Sequence, residues 1–235
     1  MGGMLLEQLT SEDVRSYRLW LEKTTKLSPT SVWHVLSDLR CTLNWCTDTG
    51  LLDRSPFPRR VMPKLQERPP KVLMDEEVAA LVTMPEPYGF IARLGLGTGL
   101  RWGELVRAQS TDVQNGELVV HQTKSRKVRR VPLTPELQAE LRMRVGLLVP
   151  LVNGWSFTEQ SRKLSGISRF HPHMMRHTFA TQWLASGGSL AALQELLGHS
   201  SITTTQRYAR LNGDMVRREA ERAYAGRQGV AGGGQ

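Results

Sequence analysis

Five prolines, at Pro56, Pro58, Pro63, Pro69 and Pro70, fall between residues 54 and 71, and no helix can run through them. Arg54, Arg59, Arg60, Lys64, Arg68 and Lys71 are interspersed, so the stretch reads as a stiff, basic connector. The 235-residue chain is thereby divided into a small N-terminal unit over 1–57, a linker over 58–71 and a larger unit over 72–225. The glycine-rich end, 226–235, reads as a disordered tail.

Hydrophobic periodicity on either side of the connector is that of helices. In the N-terminal unit, Thr10 or Ser11 with Glu12 and Asp13 opens a helix over 9–25, whose apolar face is Val14, Tyr17 and Leu21. Ser28-Pro29-Thr30-Ser31 starts a second, carried by Val32, Val35, Leu36, Leu39, Leu43 and Trp45 until Gly50. In the larger unit, helices are expected over 74–82, over 88–96 and from about Leu100. Past a turn at Gly116, Glu117–His121 and Val128–Leu133 read as a hairpin with Lys124 to Lys127 at its tip. Helices are expected again over 134–146, 157–164, 173–186, 190–197, 201–209 and 211–225. The fold class is therefore mainly α with a small antiparallel β-sheet, an α+β arrangement.

Charge narrows the partner. Thirty-one Lys and Arg against 22 Asp and Glu leave a net charge of +9, which favours a polyanion. Cys41 and Cys46, five apart on one helix, point to different faces, which argues against a disulfide or a two-thiol metal site. No stretch approaches the ~20 apolar residues of a membrane span, and Met1 to Glu7 lacks the pattern of a signal peptide, so a cytoplasmic protein associated with the nucleoid is expected. Gly95-Leu96-Gly97-Thr98-Gly99 fails the spacing of a dinucleotide loop, no P-loop is present, and the acidic residues do not cluster as in two-metal nucleases.

Four separated segments carry residues suited to phosphoryl transfer: Arg101 within Thr98–Glu104, Lys124 within Thr123–Lys127, His173 and Arg176 within His173–His177, and His199 with Tyr208. Arginine is planar and permanently charged, so Arg101 and Arg176 suit the non-bridging oxygens of a phosphodiester. Tyr208 is a candidate nucleophile that needs a base, because a phenol titrates near ~10. Taken singly, each has a plain structural alternative. Arg101 and Glu104 form an i, i+3 helix pair, Tyr208 suits an apolar helix face, and a hairpin-tip lysine is usually only solvated. His173 and His177, with His171 nearby, have the spacing of a zinc helix, but Met174 stands where a zinc protease has its glutamate and no third ligand follows.

The four motifs in this order resemble the tyrosine recombinase, or phage integrase, family over about residues 72–225. The resemblance implies a site-specific DNA recombinase that cuts and rejoins DNA through a 3′-phosphotyrosyl intermediate without metal, ATP or other cofactor. It makes Tyr208 the nucleophile, Arg101, Arg176 and His199 the phosphate ligands, His173 the base for Tyr208 and Lys124 the donor to the departing 5′ oxygen. Glu104 and His177 are supporting residues. Arg59, Arg60, Lys64, Lys71, Arg126, Lys127, Arg129 and Arg130 are expected to contact DNA phosphates. Implied partners are double-stranded DNA, further copies of the chain in a tetrameric synapse and accessory DNA-bending proteins. Residues 1–57 resemble only the latter helices of the family's SAM-like core-binding domain, so the alternative is a shortened relative that binds DNA without cutting it.

Overall fold

A computed structural model describes residues 5–65, 69–121, 128–150, 152–199 and 201–209 of the chain. Lys124, Arg126 and Lys127, the helix expected over 211–225 and the tail over 226–235 lie outside the described residues. The chain divides into two compact units, within 1–68 and within 69–235.

The first unit is built on α1 (Ser11–Thr24) and α2 (Pro29–Asp48). Thr10 opens α1 with a reciprocal cap: its backbone N–H donates to the Asp13 carboxylate at 2.8 Å, and its hydroxyl accepts from Asp13 N at 3.3 Å. Ser28 accepts from Ser31 N at 3.1 Å and Pro29 takes the first helical position of α2. Two small cores form, one of Val14, Leu43 and Val61, the other of Leu21, Val32 and Leu36. Val61 falls inside the expected linker, yet it is 3% exposed. The linker's first residues thus belong to this unit, because Val61 and Met62 supply apolar surface between the prolines, beside Phe57 of the unit itself. Trp45, expected on the apolar face, is 58% exposed: two residues past buried Leu43 it lies ~200° around the helix.

In the second unit α3 (Asp75–Val82) leads to α4 (Tyr88–Thr98), the central element. Phe90, Ile91, Ala92 and Leu94 of α4 are fully buried, the pattern of a helix enclosed on all sides. The one-turn α5 (Trp102–Leu105) precedes a three-stranded antiparallel sheet, β1 (Val113–Gln114), β2 (Glu117–His121) and β3 (Val128–Pro132), in that spatial order. Asn115 and Gly116, at φ 52° and 78°, are both left-handed, the turn that matches the twist of a two-residue hairpin. Strand β1 escapes sequence reading because two residues are too few to show alternation. The remaining α-helices among the described residues are α6 (Pro135–Arg142), α7 (Gly154–Ser165), α8 (His173–Ala185), α9 (Leu190–Leu197) and α10 (Ile202–Ala209). The molecule is thus mainly helical with a small antiparallel sheet. Helix α6 stops four residues short of the expected 146, since Leu141 is its last buried residue and Leu147 then pairs in extended form with Gln109. Helix α7 starts three residues early, where Asn153 Oδ1 accepts from Ser156 N at 2.7 Å.

Candidate active site

Helix α4 ends at Gly99, whose φ of 62° turns the chain so that Leu100 is buried and Arg101 becomes the N-cap of α5. Three residues on, Glu104 reaches back: Oε2 accepts from Arg101 N at 2.8 Å and Oε1 from Arg101 Nη1 at 3.0 Å. The expected ion pair is present, but it is part of something larger. Arg129 Nη1 and Nη2 donate to the same two oxygens at 3.0 and 2.7 Å. Burial would raise the Glu104 carboxyl; hydrogen bonds from Arg129 and from Arg101 N–H, with both guanidinium charges, instead hold it at about 2.

This corrects the expectation that Arg129 contacts DNA phosphate. Its side chain is only 8% exposed, and Nε donates inward to Leu196 O at 2.7 Å. The sign of this was available in the sequence. Along β3 exposure alternates, with Val128 and Arg130 outward and Arg129 on the side of buried Val131, as a period of two requires.

Helix α8 presents His173, Arg176 and His177. Arg176 is 3% exposed, with Nη1 on Gly99 O at 2.8 Å and Nη2 on Leu197 O at 2.6 Å. Burial first, then the charge of Arg101, lowers its guanidinium to about 9, so it stays protonated at neutral pH. Arg101 Nη2 in turn lies 3.4 Å from Gly198 O. Three consecutive carbonyls at the end of α9, those of Leu196, Leu197 and Gly198, therefore each take a different arginine, where cations are favoured by the helix dipole. His199 follows directly on that turn.

Tyr208 on α10 is 4% exposed and packs with Ala180, Leu184, Leu193 and Leu197. Its hydroxyl lies 2.8 Å from His177 Nδ1. The structure thus puts His177, not His173, against the phenol. His173 is exposed at the start of α8, and its ring stands 5.6 Å from that of His177, edge to face. His173 lies on the same stripe of α8 as His177, Ala180 and Leu184 but one turn nearer the start of the helix, so Tyr208, packed on Ala180 and Leu184, meets His177. His199 lies with its ring parallel to that of Tyr208 at 6.5 Å, and its Nδ1 is 2.8 Å from Thr205 Oγ1, a partner that sequence reading did not single out.

Burial is the main cause of histidines held below their ordinary range: His177 at about 4, with the neighbouring His173 and His171 rings next in effect, His199 at about 4, with Arg176 and Arg101 next, and His173 also lowered, by desolvation of its ring and then by Arg176 and Arg101. Burial raises the Tyr208 phenol against the opposing pull of Arg176. At neutral pH the cluster accordingly holds protonated guanidiniums, neutral imidazoles and a protonated phenol. Such a set can bind an anion, and the anion would bring the histidines back toward their usual range. Of the two guanidiniums expected at the phosphate, that of Arg101, with its side chain 38% exposed, is the more open.

Arg59, Arg60, Lys64 and Lys71 are exposed, as is Arg130, 3.5 Å from the Glu117 carboxylate. Among the described residues no three His, Cys, Asp or Glu side chains group as metal ligands, and no helix is long and apolar enough to cross a membrane.

Residues 153–214, which contain His173, Arg176, His177, His199 and Tyr208, match the model of the phage integrase family. The tyrosine recombinase XerC of Neisseria meningitidis serogroup C / serotype 2a is 31% identical over 258 residues, covering 94% of this chain and 85% of the relative. Two solved structures share the fold. The integrase of the Tn1549 transposon in complex with a circular intermediate DNA superposes with a TM-score of 0.73 at 20% identity, over 94% of this chain and 88% of that one. The XerH site-specific recombinase bound to palindromic difH gives 0.74 at 17% identity, over 92% and 72%. With a fold, a motif match and a near full-length relative in agreement, the chain belongs to the phage integrase family and is a tyrosine-type site-specific recombinase.

Proposed function

We propose that this recombinase cuts and rejoins double-stranded DNA through a covalent phosphotyrosine formed by Tyr208. The Tyr208 oxygen bonds to phosphorus, the bond from phosphorus to the 5′ oxygen breaks, and the 3′ end stays attached to the protein. Arg101, Arg176 and His199 hold the non-bridging oxygens, so charge that builds up at phosphorus meets fixed donors. The departing oxygen takes a proton from Lys124, which lies outside the described residues. The phenol proton passes first to His177, the group in contact with it, and leaves through exposed His173 beside it. Rejoining is the same sequence reversed with a new 5′ hydroxyl as nucleophile. No step calls for a metal or ATP, because the phosphotyrosine conserves the energy of the broken strand.

The observation that carries this reading is the convergence of the Tyr208 hydroxyl, His177, His199 and Arg176 around the end of α9, with Arg101 at its last carbonyl. Exposed Arg59, Arg60, Lys64, Lys71 and Arg130, with Arg126 and Lys127, would add phosphate contacts, and a tetramer of this chain on two duplexes would perform the exchange. The larger unit over 72–225 carries the chemistry, and the small helical unit before it adds a DNA contact.

The test is covalent trapping. Full-length protein is mixed, without metal, with a library of duplexes randomised around a nick, and protein-linked DNA is recovered under denaturing conditions and sequenced. Enrichment of one site with the unaltered chain and none with Tyr208→Phe is expected. The same adduct with Tyr208→Phe would remove the assignment. Salt-sensitive binding with no adduct at all would leave a DNA-binding protein.

A further inference from the structure

We infer that Arg129 is a positioning residue for cleavage: it neutralises Glu104 so that the charge of Arg101 remains available to the scissile phosphate, and it pins the turn that presents His199. The inference rests on the reading of Arg101 and His199 as phosphate ligands given above.

Arg129 cannot act on DNA directly. Its side chain is 8% exposed and all three guanidinium nitrogens are used inward, Nη1 and Nη2 on Glu104 and Nε on Leu196 O. What it does act on is the charge balance around Arg101. Glu104 accepts from both the backbone and the side chain of Arg101, so a carboxylate is in contact with a group meant to attract an anion. With Glu104 and Arg101 alone the pair would be neutral, and an incoming phosphate would meet little net attraction. Adding Arg129 makes the trio a net cation whose only open guanidinium is that of Arg101, 38% exposed.

The geometry also requires an arginine. A planar fork that meets both oxygens of Glu104 fixes the plane of the carboxylate, and that plane sets the direction of Arg101. The third nitrogen then ties β3 to Leu196 O, two residues before the turn at Gly198 and three before His199. A lysine could supply the charge but not the three directed bonds.

The experiment uses full-length protein and the nicked duplex recovered by trapping, made in two forms: one with the natural phosphodiester at the cleaved position, one with a neutral methylphosphonate. Single-turnover adduct formation is measured for the unaltered chain, Arg129→Ala, Arg129→Lys and Arg101→Ala. If Arg129 serves the charge of Arg101, Arg129→Ala slows attack on the phosphodiester by about 100-fold, the scale of a misplaced catalytic group. On the neutral substrate the loss is much smaller, limited to what the loosened His199 turn costs. The ratio of the two rates is independent of how much of each preparation is folded. Arg129→Lys shows the same substrate-dependent loss by a smaller factor, and it carries the comparison if Arg129→Ala does not fold. Equal loss on both substrates would reduce Arg129 to a structural ion pair and overturn the inference, as would an unchanged phosphodiester rate. Arg101→Ala separates the two levels: if it too leaves phosphodiester cleavage intact, the reading of the site itself is at fault.

Discussion

The Tyr208 hydroxyl stands 2.8 Å from His177 Nδ1, inside a pocket of Ala180, Leu184, Leu193 and Leu197 that leaves the tyrosine 4% exposed. Held at about 4, His177 is neutral at physiological pH, which frees Nδ1 to accept the phenol proton. Replacing His177 with Ala removes that acceptor. Adduct formation should slow by about 100-fold or more, the usual contribution of a positioned base, while the DNA dissociation constant stays near that of the parent. Quantifying the protein-linked strand over time at pH 7 checks this. A His177→Ala protein as fast as the parent, with His173→Ala slow, would return the role to His173.

Glu104 serves two arginines from a site where its side chain is 8% exposed. Glu104→Ala strands Arg129, equally buried, without a counter-charge, and breaking a buried pair from one side typically costs about 3–5 kcal/mol. Urea denaturation should show a loss of that order in the second unit, and the variant should also fail to form adduct. A change below about 1 kcal/mol would mean that water reaches Arg129 far more freely than the structure indicates.

Part of this site could be read before the structure because His173, Arg176 and His177 sit on one regular helix. The spacing of His173, Arg176 and His177 on α8 and the start of α8 after Pro172 follow from helical periodicity, and the structure places them together. What periodicity does not show is which helix crosses which. That His177 rather than His173 meets Tyr208 depends on α10 packing beside Ala180 and Leu184, a tertiary contact with no local trace. Arg129 is a different case. Its place in a run of cations suggested solvent and phosphate, whereas strand alternation with Val131 already pointed it inward. Short elements were the other loss: β1 has two residues, below the length at which a pattern can repeat, and α5, expected from about Leu100, closes after four.

Gly99 links the fold to the site. Its φ of 62° favours glycine, its carbonyl accepts from Arg176 at 2.8 Å, and a Cβ there would stand 2.4 Å from Phe179 Cδ1. Gly99→Ala combines left-handed strain with overpacking, together about 2–4 kcal/mol. The melting temperature should fall, and adduct formation should fall further than the folded fraction accounts for, because shifting the Gly99 carbonyl moves Arg176. Loss of activity strictly proportional to unfolding would separate the two roles.

Acid should weaken the second unit in two steps whose order follows from the signs of the shifts. His177 and His199 titrate at about 4 when folded against 6.5 as the ordinary value. Between those values the unfolded chain binds more protons, so their contribution is complete above pH 6.5 and is lost as pH falls toward 4. Allowing for partial solvent exposure, each is worth about 1 kcal/mol. Glu104, at about 2 against 4.5, contributes fully above pH 4.5 and loses its share only below that. Urea midpoints should therefore drop between pH 7 and pH 5, before any carboxylate of the site is protonated. His177→Gln combined with His199→Gln should flatten this first step and leave the second in place. The first unit contains neither residue and serves as the internal reference, so a midpoint of the second unit that stays level from pH 7 to pH 5 would show that these imidazoles are better hydrated than their packing implies.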